Sequence, residues 1–153
     1  MIFKALKTIT IVSVLSLSSL SAIAHDGVEM GSEMSARHYV MKSVASAASV
    51  AVPMLKGGEF DKNAATLAAA SMAAAGNAFP YLFTIENAGD EGTKASANIW
   101  SDKAGFDAIS LQMANAGHEA YLAAKAGDED GFKAAFGEAM KTCRACHSKY
   151  REK

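Results

Sequence analysis

Two thiols and an imidazole stand together near the end of the chain, in the run Cys143-Arg144-Ala145-Cys146-His147. Cys-x-x-Cys-His is the attachment signature of c-type haem, in which both thiols add to haem vinyl groups and the adjacent imidazole binds the iron. Cys143 lies three residues before Cys146 and four before His147, so on a helix all three project from neighbouring parts of one face. The spacing predicts one covalent haem c, held by Cys143, Cys146 and His147.

Three other chemistries use the same residue types. A thioredoxin-like dithiol belongs near a βαβ pattern and at the start of a helix, where the dipole lowers a thiol pKa. A structural zinc site takes four protein ligands, whereas this motif supplies three and the chain has no other cysteine. A disulfide is the ordinary expectation for two cysteines in an exported protein. The histidine that follows the second cysteine favours haem.

The first 24 residues have the pattern of a secretory signal peptide. Lys4 and Lys7 give a positive start, residues 9–20 form an apolar stretch with serines, and an A-x-A cleavage site ends at Ala24. A transmembrane anchor is the alternative, but the apolar run is too short and too rich in serine for a span of about 20 apolar residues. We therefore expect a periplasmic protein without a membrane anchor, cleaved after Ala24.

Cleavage would leave a single domain, residues 25–153. Its 129 residues are enough for one hydrophobic core and too few for two domains. The signal contains two of the 15 basic residues and none of the 16 acidic ones, so the net charge of this domain is −3. A negative charge argues against nucleic acid as a partner.

The first half of the domain has the periodicity of two helices. The first is predicted over residues 28–55, and Pro53 with the pair Gly57-Gly58 would end it. The second is predicted from an N-cap at Asp61 to about Gly76. The apolar face of the first helix comprises Met30, Met34, Met41, Val44, Ala48, Val52 and Leu55.

Residues 77–98 are predicted to be one long connection, and loops of this length in compact domains are usually functional. The third helix begins near Trp100 or Ser101, with Ser101 or Asp102 as its cap, and runs to Gly127. The fourth opens with the acidic run 128–130. Its helical period includes Phe132, Phe136, Met140, Cys143, His147 and Tyr150, which puts the haem signature on a buried stripe.

These elements predict an all-α fold, an antiparallel up-down-up-down four-helix bundle with covalently bound haem. Short, long and short connections suit this topology, and such bundles hold cofactors between facing helices. A haem in the core would remove a large apolar surface from water, so the protein without haem should be markedly less stable.

An exported four-helix chain with Cys-x-x-Cys-His on its last helix resembles the cytochrome c′ family. The resemblance covers residues 25–153 and includes Arg37, the run Ile99–Asp102 and residues 141–151. In that family the residue four after the helix-one arginine faces the distal side of the iron, and high-spin members carry a non-ligating residue there, often Leu. This chain has Met41, which is similar to the low-spin branch called cytochrome c-556, whose iron carries His and Met.

The resemblance implies that His147 and Met41 are the iron ligands and that Arg37 lies near the haem propionates, where its guanidinium would balance carboxylate charge. Judged from residue types alone, Met41 is typical of core filling, and Arg37 could also be an ordinary arginine of the helix surface. His38 is a competing ligand because it lies beside Met41 on the helix, so a bis-His site stays open.

The remaining aromatic and histidine residues receive simpler interpretations. The resemblance places Tyr150 and Arg151 near the axial imidazole, where they would set its tautomer and basicity. Trp100 is predicted to be a core or haem-edge aromatic. His25 and His118 are predicted to face solvent or to pack.

Two filled axial positions leave no open site on the iron, and a thioether ligand raises the reduction potential. We therefore predict a periplasmic one-electron carrier that is not an enzyme. The alternative is an NO- or CO-binding protein in which Met41 is displaced or the distal ligand is absent. A peroxidase would need an open iron and distal acid–base groups, and only His38 could serve.

The expected partners are redox proteins that donate and accept single electrons. A basic cluster around the signature could steer acidic redox partners, although cations at a helix C-terminus also complement its dipole, and we favour that explanation. Alanine-rich faces on the first two helices would let two bundles pack closely, and the resembled family often dimerises, so a homodimer is an open expectation. The basic cluster comprises Lys141, Arg144, Lys149, Arg151 and Lys153.

Overall fold

The structure, a computed structural model, describes residues 32–153. The signal sequence, His25 and the predicted first turn from residue 28 lie outside these residues. The helices in chain order are α1 (Glu33–Leu55), α2 (Lys62–Ala78), α3 (Asn98–Ser101), α4 (Lys103–Ala126) and α5 (Glu129–Tyr150). A single 3-10 turn, Phe79–Tyr81, follows α2.

The four long helices form an all-α bundle, which confirms the predicted fold class. α2 packs between α1 and α4, α4 packs on α5, and α1 and α5 make little direct contact. α2 and α4 are antiparallel, because Gly76 lies against Ala114 while Gly117 lies against Ala73. Across residues 32–153 no helix is both long and apolar enough to cross a membrane.

Aspartate side chains cap three of the long helices. Asp61 accepts hydrogen bonds from the amides that begin α2, Asp102 from the Gly105 amide of α4, and Asp128 from the Gly131 amide of α5. The predicted cap at Asp61 is confirmed, and of the two candidates for the third predicted helix Asp102 is the cap. That helix begins at Lys103, later than predicted, because Trp100 and Ser101 belong to the separate turn α3.

The first helix ends at Leu55 as predicted, and the second ends within two residues of its predicted end, but Pro53 and Gly76 do not terminate them. Pro53 lies inside α1, where a proline in the last turn removes only one backbone hydrogen bond. The helix ends two residues later, where Gly57 (φ 89°) lets its own amide reach Met54 O and the Gly58 amide reach Pro53 O. α2 continues past Gly76 to Ala78, because Gly76 serves helix packing rather than termination.

The predicted apolar face of the first helix is rotated after Val44. The fully buried positions there are Ala47, Ala51 and Met54, whereas the predicted Ala48, Val52 and Leu55 are only half-buried. Alanine occurs on every side of this helix, so side-chain polarity did not mark which side faces α2. The buried side is the one that packs in the bundle, mainly against α2.

α2 and α4 approach each other closely at Gly76. A Cβ atom on Gly76 would lie 2.5 Å from Ala114 N and 2.8 Å from Ser110 O, and backbone atoms cannot move aside independently. We expect Gly76→Ala to lower the free energy of unfolding by about 1–3 kcal/mol in guanidinium titrations. Gly137 in α5 has open space around it, so Gly137→Ala should raise stability by about 0.5–1 kcal/mol. Equal effects of the two substitutions would contradict this packing.

Candidate haem site

A cavity of about 410 Å³ lies between α1, α5 and the loop that connects α2 to α3. The wall from α5 includes Cys146 and His147, and the wall from α1 includes Met41. Much of the remaining wall is aromatic, formed by Phe79, Phe83, Phe106 and Tyr150. The cavity is therefore a mainly apolar space with potential metal ligands on two of its sides.

The two cysteines are free thiols on the last turns of α5, both half-buried. Burial raises the pKa of Cys143, and burial together with the neighbouring Cys143 raises the pKa of Cys146 to about 11. A reactive thioredoxin-like dithiol needs the opposite shift, since its thiolate is the reacting form. These thiols are protonated at neutral pH, which argues against the dithiol interpretation.

His147 borders the cavity and is exposed. Of the predicted buried stripe of the last helix, Phe132, Phe136 and Tyr150 are buried, and Cys146 and His147 of the attachment motif border the cavity. Partial burial, with a smaller effect from the Arg151 cation, lowers the pKa of His147. The imidazole is neutral at pH 7, which is the form that binds metal.

The end of α5 is fastened to the residues around α3. The Tyr150 hydroxyl donates to Asp102 Oδ2 at 2.7 Å, and Lys149 forms an ion pair with the same carboxylate. Hydrogen bonds from Lys149 and Tyr150 lower the pKa of Asp102. The Ser96 amide donates to Tyr150 O at 3.1 Å. These contacts fix the turn of α5 that carries His147, and they hold the Tyr150 ring against the cavity.

Arg37 is a buried residue of the cavity wall, with 6% of its surface exposed. Its guanidinium forms an ion pair with Glu33, donates to Leu82 O and donates to Asn87 Oδ1 at 2.7 Å. The alternative that Arg37 is an ordinary arginine of the helix surface is therefore wrong. The guanidinium that we predicted beside the haem propionates already has the Glu33 carboxylate as its counter-ion.

The structure brings most predicted site residues to this cavity. Met41, His38 and Met34 line it from α1, so three potential axial donors share one helix face. His118 does not take part, since it is exposed on α4 and stacks on Tyr121. Trp100 is half-buried and packs edge-on against Phe83, whose ring centroid is 6.2 Å away, but it does not line the cavity.

Sequence analysis missed Phe83, Phe106 and Asp102 as parts of the site, although it identified Asp102 as a possible helix cap. Phe83 lies in the long connection that was predicted to be functional, and its aromatic content was the available signal. Glu33 was also missed, although its spacing of four residues before Arg37 is typical of an ion pair on a helix.

The chemistry of the donor set fits a covalently attached haem. Two thiols and a neutral imidazole occur within five residues of one helix, and an apolar cavity adjoins them. Within residues 32–153 no three His, Cys, Asp or Glu side chains converge as a bare metal site would require. A four-helix bundle with this motif beside an apolar cavity is the architecture of a c-type haem protein.

Comparison with known proteins narrows this class to one family. The family model described as cytochrome c′ matches residues 32–151, nearly all of the bundle. The chain belongs to the cytochrome c′ family, and its cofactor is haem c.

Individual relatives agree with this assignment. The chain is 30% identical to the cytochrome c′ of Rhodopseudomonas palustris over 149 residues, which is 97% of both chains. It is 44% identical to the cytochrome c′ of Rubrivivax gelatinosus over 62 residues, 40% of this chain and 48% of the relative. The crystal structure of the Rhodopseudomonas palustris protein superposes with a TM-score of 0.70 at 30% identity, covering 79% of this chain and 96% of that one.

Proposed function

We propose that the protein is a periplasmic one-electron carrier of the low-spin, cytochrome c-556-like kind, with His147 and Met41 as its axial ligands. The observation that carries the proposal is the placement of these two side chains in one cavity, on different helices. Histidine from the attachment helix and a thioether from α1 can then approach an iron from two sides. Ligands on both sides leave no position for a substrate.

Several residues of the chain would hold the cofactor, each in a different way. Cys143 and Cys146 would form the two thioether links, and His147, neutral at pH 7, would bind the iron. The bound haem supplies one-electron redox chemistry between Fe(III) and Fe(II), and a Met ligand raises its potential. The apolar rings of Phe83, Phe106 and Tyr150 exclude water from this environment. The contacts of Asp102 with α5 would limit movement of the turn that bears His147 when the iron is oxidised or reduced.

Binding of NO or CO is the second candidate function. A structurally similar protein, a variant of cytochrome c′ from Alcaligenes xylosoxidans, has been solved as a nitrosyl complex, with a TM-score of 0.68 and 29% identity over 79% of this chain and 94% of that one. In the present chain a gas would have to displace Met41 or find it unbound. The cavity's apolar walls would accept such a ligand.

The optical spectrum of the purified haem protein separates the two candidates. Electron transfer predicts a low-spin ferric spectrum with a Met-to-iron charge-transfer band and a ferrous spectrum that CO does not change. A high-spin ferric spectrum, with rapid CO binding after reduction, would reject the His/Met assignment and favour gas binding. A nitrogen-bound sixth position without the charge-transfer band would point to His38.

Partners and location follow from the same proposal. The signal sequence directs the domain to the periplasm, where redox proteins would exchange electrons with it. Two members of the basic cluster are already engaged, since Lys141 pairs with Glu138 and Lys149 with Asp102. These pairs favour a structural role over docking for those two lysines. A homodimer through α1 and α2 would cover Val50 and Leu67, both exposed.

A further inference from the structure

Two charged residues on the first turns of α1 hold a distant part of the chain. Glu33 and Arg37 form an ion pair four residues apart, and both also bind the loop 82–87, which lies 45 to 51 residues further along the chain. We call Glu33, Arg37 and their bonds to this loop the clasp. The loop is the first part of the connection between α2 and α3 after the 3-10 turn.

The Glu33 side of the clasp takes hydrogen bonds from one loop residue. Its carboxylate accepts from the Thr84 amide at 3.0 Å and from the Thr84 hydroxyl at 2.6 Å. Partial burial raises the pKa of Glu33, but the hydrogen bonds from Thr84 and Arg37 outweigh it and leave that pKa below its usual value. Glu33 is therefore ionised at neutral pH and binds the loop as a carboxylate.

The Arg37 side of the clasp satisfies the loop's backbone. Besides Leu82 O, the guanidinium donates to Ile85 O at 3.3 Å and to the side chain of Asn87 at 2.7 Å. Detaching a buried arginine with so many acceptors costs free energy, because each acceptor loses a charge-assisted hydrogen bond. The cost is not recovered where water cannot replace the guanidinium. Arg37 thus anchors the loop at three of its residues, Leu82, Ile85 and Asn87.

Phe83 connects the clasp to the cavity. The Arg37 Cζ atom lies 4.1 Å from the centroid of the Phe83 ring, a cation–π contact, and Phe83 packs edge-on against Phe106 with 5.0 Å between centroids. Both rings and Arg37 line the cavity, and Arg37 lies one turn before Met41 on α1. Any opening of the loop would therefore move an aromatic wall of the site.

We propose that the clasp is a positioning device that holds Phe83 over the α1 side of the haem cavity and so limits access of small diatomic ligands to the iron. Glu33 is its key positioning residue, since it binds both the loop and Arg37. The inference rests on the proposed placement of the haem in this cavity. It does not depend on whether Met41 is the axial ligand.

The test combines a kinetic measurement with a direct measurement of loop opening. Glu33→Ala should raise the CO association rate of the ferrous haem protein about tenfold, because both hydrogen bonds from Thr84 to the carboxylate and the ion pair with Arg37 are lost. The rate is measured in a form of the protein whose iron is open. This is the Met41→Ala background, the His38→Ala background should His38 be the sixth ligand, or the otherwise unaltered protein should that form bind CO itself. Amide hydrogen exchange of residues 82–87 should accelerate by a similar factor.

Glu129→Ala is the matched control. Glu129 also lies in the first turn of a helix and pairs with a cation four residues on, Lys133, but it has no bond to the loop. It should leave both the CO rate and the exchange of residues 82–87 unchanged. Thr84→Val, which keeps the Glu33–Arg37 pair and removes one hydrogen bond, should give an intermediate increase.

An unchanged CO rate or unchanged exchange in Glu33→Ala would overturn the proposal. An equal response to Glu129→Ala would overturn it too, because the effect would then reflect general loss of helix stability. Failure of the electron-transfer proposal gives a different result, because the protein without any substitution would then bind CO. The effect of Glu33→Ala would in that case be measured in the protein that keeps Met41.

Discussion

Replacing Met41 with alanine will convert the haem iron from six-coordinate and low-spin to five-coordinate and high-spin. The thioether is the proposed distal ligand, and alanine has no atom that can replace it. If the iron–sulfur bond is worth about 3 kcal/mol, it keeps roughly 1% of the iron open, so its removal should raise CO affinity on the order of 100-fold. The Met-to-iron charge-transfer band should disappear and the reduction potential should fall, because thioether ligation favours Fe(II).

Two other cavity residues supply the controls. Met34 is a second methionine that lines the cavity, two turns before Met41 on α1. Met34→Ala should preserve the low-spin spectrum. His38→Ala tests the competing ligand in the same way. A low-spin spectrum that survives Met41→Ala but is lost in His38→Ala would overturn the assignment and establish a bis-His iron.

The local features of the fold could be predicted because short-range chemistry determines them. Asp61 was identified as a cap since a helix start needs an acceptor for its free amides, and the structure supplies the same bonds. Gly127, with φ at 79°, ends α4 where predicted because few other residues adopt that conformation. Requirements of this kind involve neighbours within four residues.

The packing of α1 was harder to predict from the same information. Ala47 and Ala51 are buried while Ala48 is half-buried, and nothing in an alanine side chain records which neighbour it will meet. The rotation of the apolar face depends on which residues of α1 meet α2 in the assembled bundle. Which face of a helix is buried is therefore determined by the packing of the whole bundle and not by one helix alone.

The candidate site likewise combines a local motif that the sequence predicts with long-range contacts that it does not. Cys143, Cys146 and His147 form a local motif and could be identified from spacing alone. The loop partners of Arg37 lie 45 to 50 residues away in the chain, so its contacts with Leu82 and Asn87 had no sequence signal. Tyr150 and Asp102 are likewise joined across 48 residues. Long-range hydrogen bonds decide how the motif is supported, and the structure is needed to find them.

Replacing both Cys143 and Cys146 with serine will convert the attached haem into one that dissociates. Covalent attachment keeps the cofactor at an effective concentration of about 1 mM, whereas free haem near 1 µM is about a thousandfold more dilute, a difference equivalent to about 4 kcal/mol of binding free energy. We expect acidified acetone to extract haem from the double variant and not from the unsubstituted protein. The double variant should also unfold at lower temperature as it is diluted, because its haem is then lost.

Single substitutions give the matched comparison. Cys143→Ser and Cys146→Ser each leave one thioether, so the haem should stay attached in both, with a shifted optical spectrum from the vinyl group that is restored. Cys146 lines the cavity and Cys143 lies a turn earlier, with its thiol 3.9 Å from Ala139 O. Loss of the Cys146 link should therefore disturb the iron environment more than loss of the Cys143 link. Haem that acidified acetone removes from the unsubstituted protein would reject covalent attachment by either cysteine.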